Sequence, residues 1–189
     1  MKPTVSYSLF DDAVEVYAFG KSEKPMTADE VRFTVSENLR SRTILRPDTS
    51  EFNARVCEPA DLTEINGQDG IAVYSGYQAD GVTILPGQTA WFQTADCPII
   101  IARHDETGEV IAAHTGRWSL IHKPLVIRDQ PRRHYESVVD GICQRLLYGR
   151  HSPIDLEVFS CCGVGPVHFR HPTNHRHYGR WNKELNRHI

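Results

Sequence analysis

Two apolar runs joined by a short polar turn constrain this chain more than any other feature. Pro98 to Arg103 and Glu109 to His114 flank His104 to Gly108, where Asp105, Thr107 and Gly108 supply turn chemistry. The segment reads as a β-hairpin. With the turn centred near residue 106, Cys97 and His114 finish at the same open end, as cross-strand neighbours about 5 to 8 Å apart.

The hairpin sits in a strand-rich middle third. Short β-like runs precede it at Arg55 to Cys57, Gly70 to Tyr74, Gly81 to Leu85 and Thr89 to Gln93, punctuated by Gly, Asp or Pro. At the N-terminus, Val5, Tyr7 and Leu9 alternate with polar neighbours, and Val14 to Phe19 alternates again after Asp11 and Asp12, which predicts an opening hairpin. Thr27 and Glu30 form a capping box, and Met26 with Val31 has staple spacing, so a helix should begin at Ala28 and end near Arg42 with Val31, Val35 and Leu39 on one face. A second amphipathic helix is expected from Tyr135 to about Gly149, carrying Val138, Val139, Ile142, Leu146 and Leu147, and a buried strand from Leu156 to about Cys162. Arg117 to Arg133, with two prolines and no periodicity, reads as an irregular surface loop. The tail from His168 is rich in His, Arg and Asn and is expected to be loosely ordered, so its five histidines read as an exposed tail and not as a metal site. These elements together predict an α+β fold, a mixed β-sheet core flanked by helices.

Composition narrows the functional classes. The 189 residues suit one domain spanning residues 1–189, and a net charge of -3 with both signs scattered disfavours nucleic-acid binding. Neither a leader pattern nor an apolar run long enough to span a bilayer is present, so the sequence reads as cytoplasmic, without a membrane partner. Five cysteines, two of them adjacent at Cys161 and Cys162 and none in a C-x-x-C pair, point to reduced thiols and away from a zinc ribbon.

The site candidates cluster at the open end of the hairpin. A Cys and a His at this spacing are also compatible with plain packing, Cys97 as a small apolar residue and His114 as a hydrogen-bonded strand end. Their neighbours favour chemistry: Thr94-Ala95-Asp96-Cys97 places a carboxylate beside a thiol, and His114-Thr115-Gly116-Arg117 leaves the other strand through a Gly beside a cation, as an anion-binding turn does.

These residues carry a resemblance. The run Gln93-Thr94-Ala95-Asp96-Cys97-Pro98, the hairpin, and Ala112-Ala113-His114-Thr115-Gly116-Arg117-Trp118 resemble the signature of the YfiH-type laccase-domain proteins, regarded as purine nucleoside phosphorylases. Glu37-Asn38-Leu39-Arg40, Ala79-Asp80-Gly81 and Val164-Gly165-Pro166 are similar to flanking motifs of that family, in the same order. The likeness spans roughly Val31 to Phe169 and is specific only from Thr94 to Trp118. It implies a zinc centre in which Cys97 and His114 occupy two ligand positions and Asn66, within Glu64-Ile65-Asn66-Gly67, occupies the position of the family's first histidine. An amide oxygen is a weaker zinc ligand than an imidazole nitrogen. The resemblance further implies nucleoside and phosphate as small-molecule partners, Arg117 and Arg40 as phosphate-side cations, and Asp96 orienting its neighbours. The chain departs from the family in the order Arg117-Trp118, in Ser119, and in Cys161-Cys162 where the family has Gly-Pro.

Two other classes stay open. In one, His114 deprotonates Cys97 for attack on an amide or acyl carbon without a metal, as in the chemoreceptor glutamine deamidases, which this Cys and His spacing also resembles; Asn66 or Thr115 would then orient the imidazole. In the other, the fold survives as a binding protein without catalysis.

Overall fold

The computed structural model describes residues 2–19, 24, 26–51, 53–68, 70–94, 97–120, 137–148 and 155–161. The fold is α+β. Strands β1 (Pro3–Leu9) and β2 (Val14–Phe19) form a separate antiparallel hairpin, closed through Phe10, Asp11 and Asp12, all at positive φ. Helix α1 (Ala28–Asn38) starts at the expected box: the Glu30 N–H donates to Thr27 Oγ1, and the Thr27 N–H donates to the Glu30 carboxylate at 2.7 Å. It ends four residues before the expected Arg42, because Leu39 turns to an extended conformation (φ -127°, ψ 157°) and packs on the cluster beneath the helix.

Two larger sheets follow. One has four strands in the order β5 (Thr63–Gln68), β6 (Ile71–Ser75), β3 (Thr43–Leu45), β8 (Gln88–Ala90), with β3 parallel to both its neighbours. Helix α1 covers it, and Val31 and Val35 bury against Ile44, Val73 and Trp91. The other has five strands, β11 (Leu156–Cys161), β9 (Ile99–His104), β10 (Val110–His114), β7 (Gly81–Ile84) and β4 (Val56–Cys57), antiparallel except for β4 with β7. A short 3-10 turn, Pro59–Asp61, links β4 to β5.

Period-two alternation gives the five-stranded sheet two distinct faces. Ala102, Ile111 and Ala113 lie under helix α3 (Val138–Leu146), which contributes Val138, Ile142 and Leu146. Ile99, Ile101, Val110, Ala112 and Cys161 face the other way, toward Leu9, Phe10, Val14 and Val16 of the β1–β2 hairpin. The Ser137 hydroxyl caps α3 by accepting the Asp140 N–H at 3.1 Å, so the helix begins at Val138, and it ends at Leu146, short of Gly149.

Arg117–Leu120 forms one helical turn, α2, where an irregular loop was expected, with the Ser119 and Leu120 N–H groups donating to the Gly116 carbonyl at 2.8 and 3.0 Å. The rest of that loop, up to residue 133, and the tail from His168 lie outside the described residues. No described helix is long and apolar enough to cross a membrane.

Candidate functional site at the end of the central hairpin

The register of β9 and β10 sets the site. Val110 pairs with Arg103, Ala112 with Ile101 and His114 with Ile99. Both the N–H and the hydroxyl of Thr115 donate to the Pro98 carbonyl, at 2.8 and 2.7 Å, so the two chains stay paired one residue beyond the ladder. Cys97 therefore lies two residues from Ile99, the partner of His114. Diagonal neighbours within a continuous antiparallel ladder are about 7 to 8 Å apart, and Cys97 lies just outside β9.

Local hydrogen bonds hold each member. The Thr94 hydroxyl accepts the Cys97 N–H at 3.1 Å and donates to the Cys97 carbonyl at 2.7 Å, a side-chain turn that places the half-buried Cys97 at the strand mouth. His114 is buried, and its backbone N–H donates to the Asp80 carbonyl at 2.7 Å. Asp80 stands directly opposite His114, one step beyond the Gly81–Ala113 pair.

Asp80 was not among the sequence-derived site residues, although it lies in one of the resembling motifs. It is fully buried, and no other carboxylate among the described residues is. Its Oδ2 accepts the Ala54 N–H at 2.6 Å, and Ala54 takes a left-handed backbone (φ 60°) on the segment that makes this contact. The available signal was one acid in an apolar stretch, Ala79-Asp80-Gly81-Val82, since an Asp is rarely buried without partners.

The other expected members fall less closely together. Asn66 is on β5, at a bulge between Glu64 and the Asn66–Val73 pair. β5 is the outer strand of the four-stranded sheet, separated from β8 by β6 and β3, whereas Cys97 and His114 end strands of the five-stranded sheet. Thr63 to Gln68 has a single large apolar residue, Ile65, and that one is exposed, so the sequence lacks the alternation that marks a strand. Arg117 starts α2 and does not extend the exit loop. Asp96 lies outside the described residues, as do the side chains of Asn66 and Arg117. Arg40 is exposed and lines a cavity.

That cavity, about 1640 Å³, opens between the β1–β2 hairpin and the inner face of the five-stranded sheet. Val16, Trp91, Phe92, Ile101 and Cys161 form apolar wall, and Thr94 brings the cavity to the segment that holds Cys97. Cys97 and His114 themselves do not line it.

Among the described residues, no group of three His, Cys, Asp or Glu side chains is placed to hold a metal ion. Of the three ligand positions the resemblance implies, Cys97 and His114 lie among the described side chains and Asn66 does not. Cys57 is a free thiol on β4, and burial pushes its pKa from 9.0 up to about 12, with Asp61 adding to the rise. Compared with known proteins, the chain matches no family model and no curated protein.

Proposed function

We propose that the chain is a divergent laccase-domain protein that cleaves purine nucleosides with phosphate at the Cys97 and His114 end of the central hairpin. A phosphate oxygen attacks the anomeric carbon, the bond from that carbon to the purine nitrogen breaks, and the base leaves with a proton supplied by His114. The products are ribose 1-phosphate and free purine. Positioning and electrostatics supply most of the rate in such a reaction. Arg40, on the cavity wall, and Arg117, at the start of α2, are the phosphate-side cations of this reading.

The observation that carries the proposal is the register His114 to Ile99, extended by the Thr115 bonds to Pro98, which supports a shared centre for two residues 17 positions apart. The cavity beside Thr94 adds room: ligand sites commonly enclose about 300 to 1,000 Å³, and this space is larger.

Incubation with inosine or adenosine, with and without phosphate, tests it. Phosphate-dependent release of base, lost in Cys97→Ser and His114→Ala, is expected; release that ignores phosphate, or none, overturns it. A second reading, a metal-free Cys and His hydrolase acting on amides, rests on the same strand register that brings the Cys97 segment beside His114, because a cysteine nucleophile needs a neighbouring base. Phosphate-independent amide hydrolysis that iodoacetamide abolishes by alkylating Cys97 is its signature.

A further inference from the structure

We infer that the large cavity is a binding site for a long-chain carboxylate, its head held at Arg46 and Trp91 and its alkyl tail laid along the apolar wall beside the β1–β2 hairpin. This goes beyond the reaction proposed at Cys97 and His114, neither of which lines the cavity.

The head site comes from the pairing of two short strands. Leu45 pairs with Ala90 in the parallel ladder of β3 and β8, and the Trp91 N–H donates to the Leu45 carbonyl at 2.8 Å, so Arg46 and Trp91 follow side by side. Period-two alternation puts Arg46 on the same face as Ile44, the face on which Trp91 packs. Both Arg46 and Trp91 line the cavity.

Each carries an unmet electrostatic need. Arg46 is half-buried, one guanidinium nitrogen donates to the Met26 carbonyl at 2.8 Å, and among the described residues no carboxylate pairs with it. Asp48, two residues on, is exposed and uses Oδ1 to accept the Ser50 N–H at 3.0 Å. The Trp91 indole N–H is buried without an acceptor, in a residue 9% exposed. Buried donors normally find a partner, and a guanidinium matches the planar fork of a carboxylate. A head with one charge and two oxygens fits one guanidinium and one indole N–H. Gln93 braces this rim, its Oε1 accepting the Met26 N–H at 2.9 Å and its Nε2 donating to the Lys24 carbonyl at 3.2 Å.

The tail has an apolar wall to follow. Phe19, at the end of β2, stacks on Trp91 with ring centroids 5.5 Å apart, and the same cavity is lined by Val16 of the ribbon and by Ile101, Val110 and Ala112 of the sheet. Val14 to Phe19 is an extended strand, and at 3.4 Å per residue its five steps cover about 17 Å. A wall of that length suits an extended alkyl chain better than a compact ring system.

Titration with dodecanoate below its micellar range tests the inference, read by calorimetry and by indole emission. Saturable binding at one site is expected. It should be about tenfold weaker or more for dodecyltrimethylammonium, which keeps the tail and reverses the charge, and for butyrate, which keeps the head and loses most of the tail. Trp91→Phe is expected to remove most of the emission change, which separates this indole from Trp118 and Trp181. Arg46→Gln is expected to weaken dodecanoate about tenfold or more without weakening dodecyltrimethylammonium. Absence of saturable binding overturns the inference, as do equal binding of the two amphiphiles, equal binding of butyrate, an emission change that survives in Trp91→Phe, or a folded Arg46→Gln variant that binds dodecanoate as before. If Arg46→Gln does not fold, the comparison of the three ligands on the unsubstituted protein decides. No turnover is read, so the outcome is independent of nucleoside cleavage.

Discussion

Gly81→Ala is the substitution whose cost can be worked most directly from the structure. Gly81 opens β7 between Ala113 of β10 and Val56 of β4. A Cβ there would meet Ala113 Cβ at 2.9 Å, the Ala112 carbonyl oxygen at 3.2 Å and Val56 Cγ2 at 3.3 Å. The first contact can be relieved only by separating two paired strands, since neither partner is the end of a flexible side chain. Overpacking of this kind costs about 1 to 3 kcal/mol. Against it stands a gain of about 0.4 to 1 kcal/mol from the stiffer unfolded chain, because the Gly81 backbone is not in a region that alanine avoids. The steric term wins, by about 1 to 2 kcal/mol. A chain of this size loses about 2 to 4 °C of Tm per kcal/mol, so thermal unfolding followed by circular dichroism should show a fall of about 2 to 8 °C. An unchanged or higher Tm refutes the reasoning. Adding Ala113→Gly removes the shortest contact, so the double variant should be more stable than the sum of the singles by more than about 0.5 kcal/mol. Simple additivity would show that the Cβ pair is not the source of the loss.

Two further outcomes follow from the hydrogen bonds and the buried thiol. Thr94→Val removes the hydroxyl that accepts and donates at Cys97; denaturant unfolding should show a loss of about 1 to 2 kcal/mol, while Thr94→Ser should retain most of the stability. Cys57 keeps its proton in the folded chain up to about pH 12 but ionises near 9 when unfolded. The unfolded state therefore binds fewer protons between those values, and stability should fall as pH rises through that window. The Cys57→Ala variant should show a shallower fall; an identical pH profile would refute the assignment to this thiol.

Features written in neighbouring residues were the ones legible in the sequence. The Thr27 and Glu30 box is complete within four residues, and α1 begins where it says. The central hairpin declares itself through two apolar runs and a turn, and its observed limits, Ile99–His104 and Val110–His114, differ from the expected ones by one residue at three of the four ends. Strand β3 escaped because three residues, Thr43–Leu45, cannot display a period; it is recognisable only as the strand between β6 and β8. Strand β5 escaped because its sequence is mostly polar and its one large apolar residue, Ile65, is exposed. At the site, the register that pairs His114 with Ile99, two residues from Cys97, was legible because one hairpin joins them. The opposition of Asp80 to His114 was not, since it depends on β7 pairing with β10 across more than thirty residues of sequence.

The β1–β2 ribbon has a consequence for how the fold is held together. Two strands alone are marginal in water, so this ribbon persists through what it leans on: Leu9, Phe10, Val14 and Val16 on the sheet, and Tyr7 against Phe159 with ring centroids 5.5 Å apart. Two of these residues, Val14 and Val16, also line the large cavity. Because β1 and β2 pair with each other and with no strand of the five-stranded sheet, the backbone ladders joining β7, β10 and β9 close without them, and the ribbon is held to that sheet by side-chain packing.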